Sequence, residues 1–228
     1  MRFTLFRRVV AEGVGTAMLL ATIVGSGIMA ERLAAGNTAV ALIANSLATG
    51  AILLALILTF GGISGAHLNP IITIIETLSR NLRGRDCGFY VAAQFVGAIA
   101  GVVIAHLMFA LPLLFASHHD RSGWSQVFSE SIATFGLVSV IFGTRQSFPN
   151  NLISIAIVVA AYITAAYWFT SSTSFANPAV TIARSMTDTF VGIRPVDVGG
   201  FIAGQVCGGT AACLLWRWLR KEKTDERT

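Results

Sequence analysis

Two stretches of this chain contain no Asp, Glu, Lys or Arg, Leu33 to Ile75 and Gln146 to Ala183. One helical bilayer crossing takes about 20 apolar residues, so each stretch holds one crossing and roughly half of another. The surplus is what constrains the fold. Backbone at membrane depth must satisfy its own polar groups, and an incomplete crossing survives only buried in protein or lining a watery cavity.

The remaining apolar runs complete a set of six expected spans, at about 9–30, 39–60, 88–111, 127–145, 152–171 and 196–218. Only 12% of the residues are charged, against about a quarter in an ordinary soluble domain. The first run, after Arg7 and Arg8, is as long as a full span and lacks a cleavage site, so it is expected to stay. The leftovers are Asn69–Ser79 and Asn177–Thr187, each opening on Asn-Pro, with Asn suited to the N-cap and Pro to the first helical turn. They are expected to be half-helices dipping in from opposite faces and together making one composite span.

Basic residues set the expected orientation. With both termini inside, Arg2, Arg7, Arg8, Arg80, Arg83, Arg85, Arg145, Arg217, Arg220, Lys221, Lys223 and Arg227 are cytoplasmic, whereas Arg32, Arg121, Arg184 and Arg194 fall outside. That asymmetry follows the positive-inside pattern. It also accounts for the +5 balance through lipid headgroups, so nucleic acid is not an expected partner. Cys87, Cys207 and Cys213 have neither CxxC spacing nor neighbouring His and read as packing residues. No metal or cofactor is expected, and no GxSxG or HExxH motif suggests an enzyme.

The chain repeats itself. Glu12 with Thr16 recurs as Glu130 with Thr134, Asn69-Pro70 with Thr73 as Asn177-Pro178 with Thr181, and Gln94 with Gly97 as Gln205 with Gly208. The two halves, 1–111 and 127–228 of a single domain, would each hold three spans. An odd number per half turns the second half upside down, and paired interrupted segments then mark a solute path. Secondary transport uses the same device but needs a charged relay within the membrane, for which only Glu12 and Glu130 are candidates.

Two Asn-Pro boxes in SGAHLNP and ANPAVT, with Gln in the third and sixth spans, resemble the aquaporin (major intrinsic protein) family over nearly the whole chain. The fold expected is therefore an all-α membrane channel of six transmembrane helices and two re-entrant half-helices in an inverted repeat. Asn69, Pro70, Asn177 and Pro178 would form its centre, with the Asn amides donating into the pore. Positive half-helix ends would oppose cations there. The segments Gly65–Leu68 and Thr173–Ala176 would present backbone carbonyls to solute. Gly65, Ala66, His67, Ile71, Thr173, Phe175 and Ala176 are the expected lining, with Ile71 crowding the centre. The resemblance assigns Glu12, Gln94, Glu130 and Gln205 to bracing the re-entrant loops.

Water-selective members of the family carry Arg three residues after the second box Asn; here that position is Val180. Motif spacing gives Thr49, Ala165 and Ser174 as its filter companions. None is aromatic or charged, so the filter is expected to be wide and weakly cationic. Arg184 reads either as a surface arginine paired with Asp188, the favoured expectation, or as a positive charge in the outer vestibule. His118 and His119 read as solvated loop. The filter resembles that of bacterial aquaglyceroporins associated with arsenic resistance, which implies passive passage of glycerol or arsenous acid, and water. The resemblance further implies a homotetramer in a cytoplasmic membrane, with lipid and small neutral solutes as its only other partners. An orthodox water channel is the alternative.

Overall fold

A computed structural model describes residues 3–220. Of the expected cytoplasmic basic set, Arg2, Lys221, Lys223 and Arg227 lie outside these residues. The helices are α1 (Leu5–Leu33), α2 (Thr38–Ser64), α3 (Pro70–Leu78), α4 (Gly84–Met108), α5 (Trp124–Ser147), α6 (Leu152–Phe169), α7 (Pro178–Arg184) and α8 (Val198–Leu219), the last entered through a 3-10 turn at Pro195–Asp197. Six are long and apolar enough to cross a membrane. Each expected span corresponds to one of them, and α3 and α7 occupy the two leftover segments.

Local chemistry sets the boundaries. The Asn37 side chain accepts from the amides of Ala39 and Val40 at 3.1 and 3.2 Å and so starts α2. Asn151 caps α6 by accepting from the Ser154 amide at 3.0 Å. Gly65 ends α2 at φ 97°, a left-handed conformation that glycine adopts without a Cβ penalty.

In lipid there is little hydrophobic drive between helices, so close packing of small residues must hold them together. Both halves use it alike. A Cβ added at Gly97 or Gly101 of α4 would run into the backbone carbonyls of Gly13 or Ala17 on α1. In α8, Gly204 and Gly208 meet the carbonyls of Val127 and Ser131 on α5 in the same way. Buried hydrogen bonds add to this in the first half. Arg8 of α1 donates to Asp86 at 2.8 Å and to the Tyr90 hydroxyl at 3.2 Å, and Tyr90 donates to the Ser64 carbonyl at 3.0 Å. The end of α2 is thereby tied to α1 and α4, and removing one partner of such a buried pair would leave a charge uncompensated. Leu47, Val96, Leu107 and Leu214 stand exposed on the outer surface, as lipid contact requires.

Candidate functional site

The short helices meet at the middle of the molecule through their first residues. Asn69 Oδ1 accepts from the Ile71 amide at 2.9 Å and Asn177 Oδ1 from the Ala179 amide at 3.0 Å, so each caps its own helix. Pro70 and Pro178 follow in the first turn, where no amide hydrogen is needed. The Asn69 amide nitrogen donates to the Ala176 carbonyl and that of Asn177 to the Leu68 carbonyl, both at 2.8 Å. Each box is thus bonded to the chain entering the other. A primary amide has two N–H groups, and both asparagines line a central cavity.

The segments entering the boxes share one unusual conformation. Ala66 and Leu68 before Asn69, and Ser174 and Ala176 before Asn177, have φ between 47° and 51°. Non-glycine residues pay for that conformation, and surrounding structure has to hold it. Glu12 accepts from the amides of His67 and Leu68 at 2.9 and 2.7 Å, and from the Ser64 hydroxyl at 2.6 Å. Glu130 accepts from those of Phe175 and Ala176 at 2.9 and 2.8 Å. Gln94 donates to Glu12 at 2.8 Å and to Thr73 at 2.9 Å; Gln205 donates to Glu130 at 2.6 Å and to Thr181 at 2.8 Å. The carboxylates hold the amides of these segments, and Gly65, Ala66, His67 and Leu68 border the cavity.

One cavity runs from Arg145 at one end to Arg184 at the other. Apolar side chains such as Leu53, Ile57, Val159 and Ile163 also line it. Thr49, Ser174, Val180 and Phe175 line it as expected positions of the filter and pore. His67 lines it too, with Nδ1 3.2 Å from the Thr73 hydroxyl. Thr173 instead borders a separate outer cavity, and Ala176 is fully buried with its carbonyl on Asn69.

Three further expectations are corrected. Ala165 is exposed on the outer side of α6; the cavity face carries Val159, Ile163 and Tyr167, spaced one helical turn apart. The Tyr167 hydroxyl lies 3.1 Å from that of Thr49, so an aromatic ring stands beside one of the expected filter positions. Ile71 does not line the cavity: it packs against Gly209 of α8, and Ile72 faces inward. Arg184 is not a surface residue paired with Asp188. It is 1% exposed, its Nε donates to the Val191 carbonyl, and its guanidinium carbon sits 3.4 Å from the Phe175 ring centre. Asp188 accepts from the His118 amide at 2.8 Å instead. A cation therefore does stand at the cavity's end.

Further residues at the two ends carried no recognised signal in the sequence. Arg145 pairs with Glu76 of α3 at one mouth. At the other, Arg121 leaves the connection after α4 and donates to the carbonyls of Gly192 at 2.7 Å and Ser172 at 3.2 Å. Its guanidinium carbon is 5.0 Å from the Phe175 ring centre. Burial pushes the Arg121 pKa down to about 10, which still leaves it charged at neutral pH. His119, expected to be plain solvated loop, borders the same outer cavity. The three cysteines are free thiols, and no group of metal-ligating side chains occurs among the described residues.

Six crossing helices around a cavity bordered by two asparagine-capped half-helices define a membrane channel. The sequence profile described as Major intrinsic protein matches residues 1–150. Aquaglyceroporin AqpS of Rhizobium meliloti (strain 1021) is 52% identical over 221 residues, covering 95% of this chain and 91% of that protein. Probable aquaporin AqpM of Archaeoglobus fulgidus is 29% identical, covering 97% and 100%. The X-ray structure of the aquaglyceroporin from Plasmodium falciparum superimposes with a TM-score of 0.71 at 16% identity, covering 93% of this chain and 96% of that one, which establishes the shared fold. This chain belongs to the major intrinsic protein family.

Proposed function

We propose that this protein is a passive channel for small uncharged hydroxylated solutes, with glycerol and arsenous acid as the class it is built for and water as a further permeant. The observation that carries this reading is the mixed polar and aliphatic lining of the cavity. The re-entrant segments bring the amides of Asn69 and Asn177 to it, while α2 and α6 bring aliphatic side chains such as Leu53, Ile57, Val159 and Ile163 together with the hydroxyls of Thr49 and Tyr167. A polyol has the same mixture, with hydroxyls along one edge and C–H groups along the other. Its oxygens can exchange water for protein partners while its carbon edge meets apolar surface.

Charge is opposed along the same path. The two half-helix N-termini meet at the centre and Arg184 stands at one end, so a cation loses hydration against positive potential. Glu12 and Glu130 are committed to loop amides, which leaves neither of them free as a carboxylate relay for ion-coupled transport. The bacterial aquaglyceroporin AqpS, similar over most of its length, supports the same solute class.

The distribution of basic residues supports both termini, and the Arg145 mouth, on the cytoplasmic side of an inner membrane. A homotetramer is the assembly expected of the family. The function is tested by stopped-flow light scattering of proteoliposomes under glycerol and arsenous acid gradients. Flux should exceed that of protein-free vesicles, rise linearly with gradient and ignore ionophores. Saturating flux abolished by an ionophore would make the protein a carrier.

A further inference from the structure

The outer cavity beyond Arg184 is about 340 Å³ and is bordered by His119, Arg121, Arg184, Asn45, Thr173 and Trp168, among others. Its two guanidinium groups approach one Phe175 ring, at 5.0 and 3.4 Å from the ring centre, so their carbons lie within the sum of those distances. Neither forms an ion pair among the described residues. Their bonds go to carbonyl and hydroxyl oxygens, of Gly192, Ser172 and Thr173 for Arg121 and of Val191 for Arg184. Those contacts fix orientation and neutralise nothing. Nη2 of Arg121 and both Nη atoms of Arg184 donate to no protein group among the described residues, yet none of them is sealed from solvent.

Most carboxylates nearby are otherwise engaged, and Glu31, exposed on α1, pairs with neither arginine among the described residues. Glu130 accepts from Phe175, Ala176 and Gln205, and Asp188 from the His118 amide. Asp120 and Asp197 pair with Arg194. Two adjacent guanidiniums held in a partly closed cavity repel each other, and the cavity walls weaken the screening that bulk water would give. Planar forks with unused N–H donors suit oxyanions, which accept several charge-assisted hydrogen bonds at once.

We propose that this vestibule is a binding site for a small oxyanion, held between Arg121 and Arg184. The anion neutralises the pair and stands over the entrance to the channel. It is too strongly held by the guanidiniums, and too poorly served by the aliphatic wall below, to continue through. The vestibule therefore retains anions while neutral solutes pass, and a bound anion narrows the way in for them.

Inorganic sulfate is the probe, since its charge does not change near neutral pH. Titration calorimetry of the purified protein in detergent at constant ionic strength should show saturable binding that weakens by about tenfold or more in Arg121→Gln, a loss of about 1.4 kcal/mol. No binding by the parent protein, or equal affinity in a folded Arg121→Gln, would overturn the proposal. Crystals of the parent protein soaked in selenate need no variant. They should show an anomalous peak between the two guanidiniums; its absence there would also overturn the assignment. Both readouts are independent of solute flux, so they stand or fall apart from the proposed channel function.

Discussion

The hydroxyls of Thr49 on α2 and Tyr167 on α6 are 3.1 Å apart across the cavity wall, which makes one hydrogen-bonded pair out of two helices that are distant in sequence. Tyr167 supplies the bulk at this level that Val180 does not. Tyr167→Ala should therefore raise glycerol permeability relative to water, while Tyr167→Phe keeps the ring and changes the ratio little. Stopped-flow measurement of both solutes in each variant checks this; an unchanged glycerol-to-water ratio in folded Tyr167→Ala would remove Tyr167 from the filter.

Glu12 takes two re-entrant amides and one hydroxyl. Glu12→Leu strands those donors at about 1–3 kcal/mol for each one left unsatisfied, whereas Glu12→Gln keeps an acceptor. Thermal unfolding in detergent should rank the parent above Gln and Gln well above Leu. Equal midpoints for the two variants would contradict the bracing role.

Close helix crossing gives a sharper contrast within one helix. A methyl at Gly208 would meet the Ser131 backbone, while one at Gly199 would meet nothing within 4 Å. Gly208→Ala should cost about 1–3 kcal/mol, the usual range for overpacking. Gly199→Ala serves as the control in the same unfolding assay and should leave the midpoint unchanged or raise it.

His119 gives the oxyanion site a pH dependence. Partial burial and Arg121 lower its pKa, joined by Arg184, while Asp188 and Glu31 pull the other way. Protonation adds a positive charge, so sulfate affinity should rise as pH falls. Because the pKa is lowered, the rise should begin below the ordinary histidine value of about 6.5. By linkage, bound sulfate raises the His119 pKa in turn. His119→Gln should flatten the calorimetric pH profile; a rise that persists in that variant would assign the proton elsewhere.

Much of this arrangement was legible in the sequence, for identifiable reasons. Charge-free length marked six crossings, and the paired Asn-Pro segments marked what could not cross. The polar residues repeated at equivalent positions, Glu12 and Glu130, Gln94 and Gln205, proved to be bonded to the same structural features in each half. What failed was side-chain direction where spacing had to cross a loop. The chain between α6 and Asn177 is shorter than motif spacing assumed, which moved the inward position from Ala165 to Tyr167. Adjacent isoleucines in α3 point about 100° apart, so Ile72 and not Ile71 lines the cavity. Arg184 lies one turn beyond Val180 on α7, and helical spacing allowed that inward placement, but a nearby Asp188 made a surface pair the simpler expectation. Arg121 comes from a polar loop whose return over Phe175 is a purely tertiary event.

The most direct test of the central claim is the selectivity of Val180→Arg in proteoliposomes, normalised to folded protein. Val180 lines the cavity together with Thr49, Tyr167 and Ser174. A guanidinium there fills space and adds donors that favour the smallest solute. Glycerol and arsenous acid permeabilities should fall much further than water permeability, and the ratio should be independent of membrane voltage because the solutes are neutral. Parent-level permeability to all three solutes in the folded variant would contradict the filter, and with it the claim that this cavity selects small neutral hydroxylated molecules.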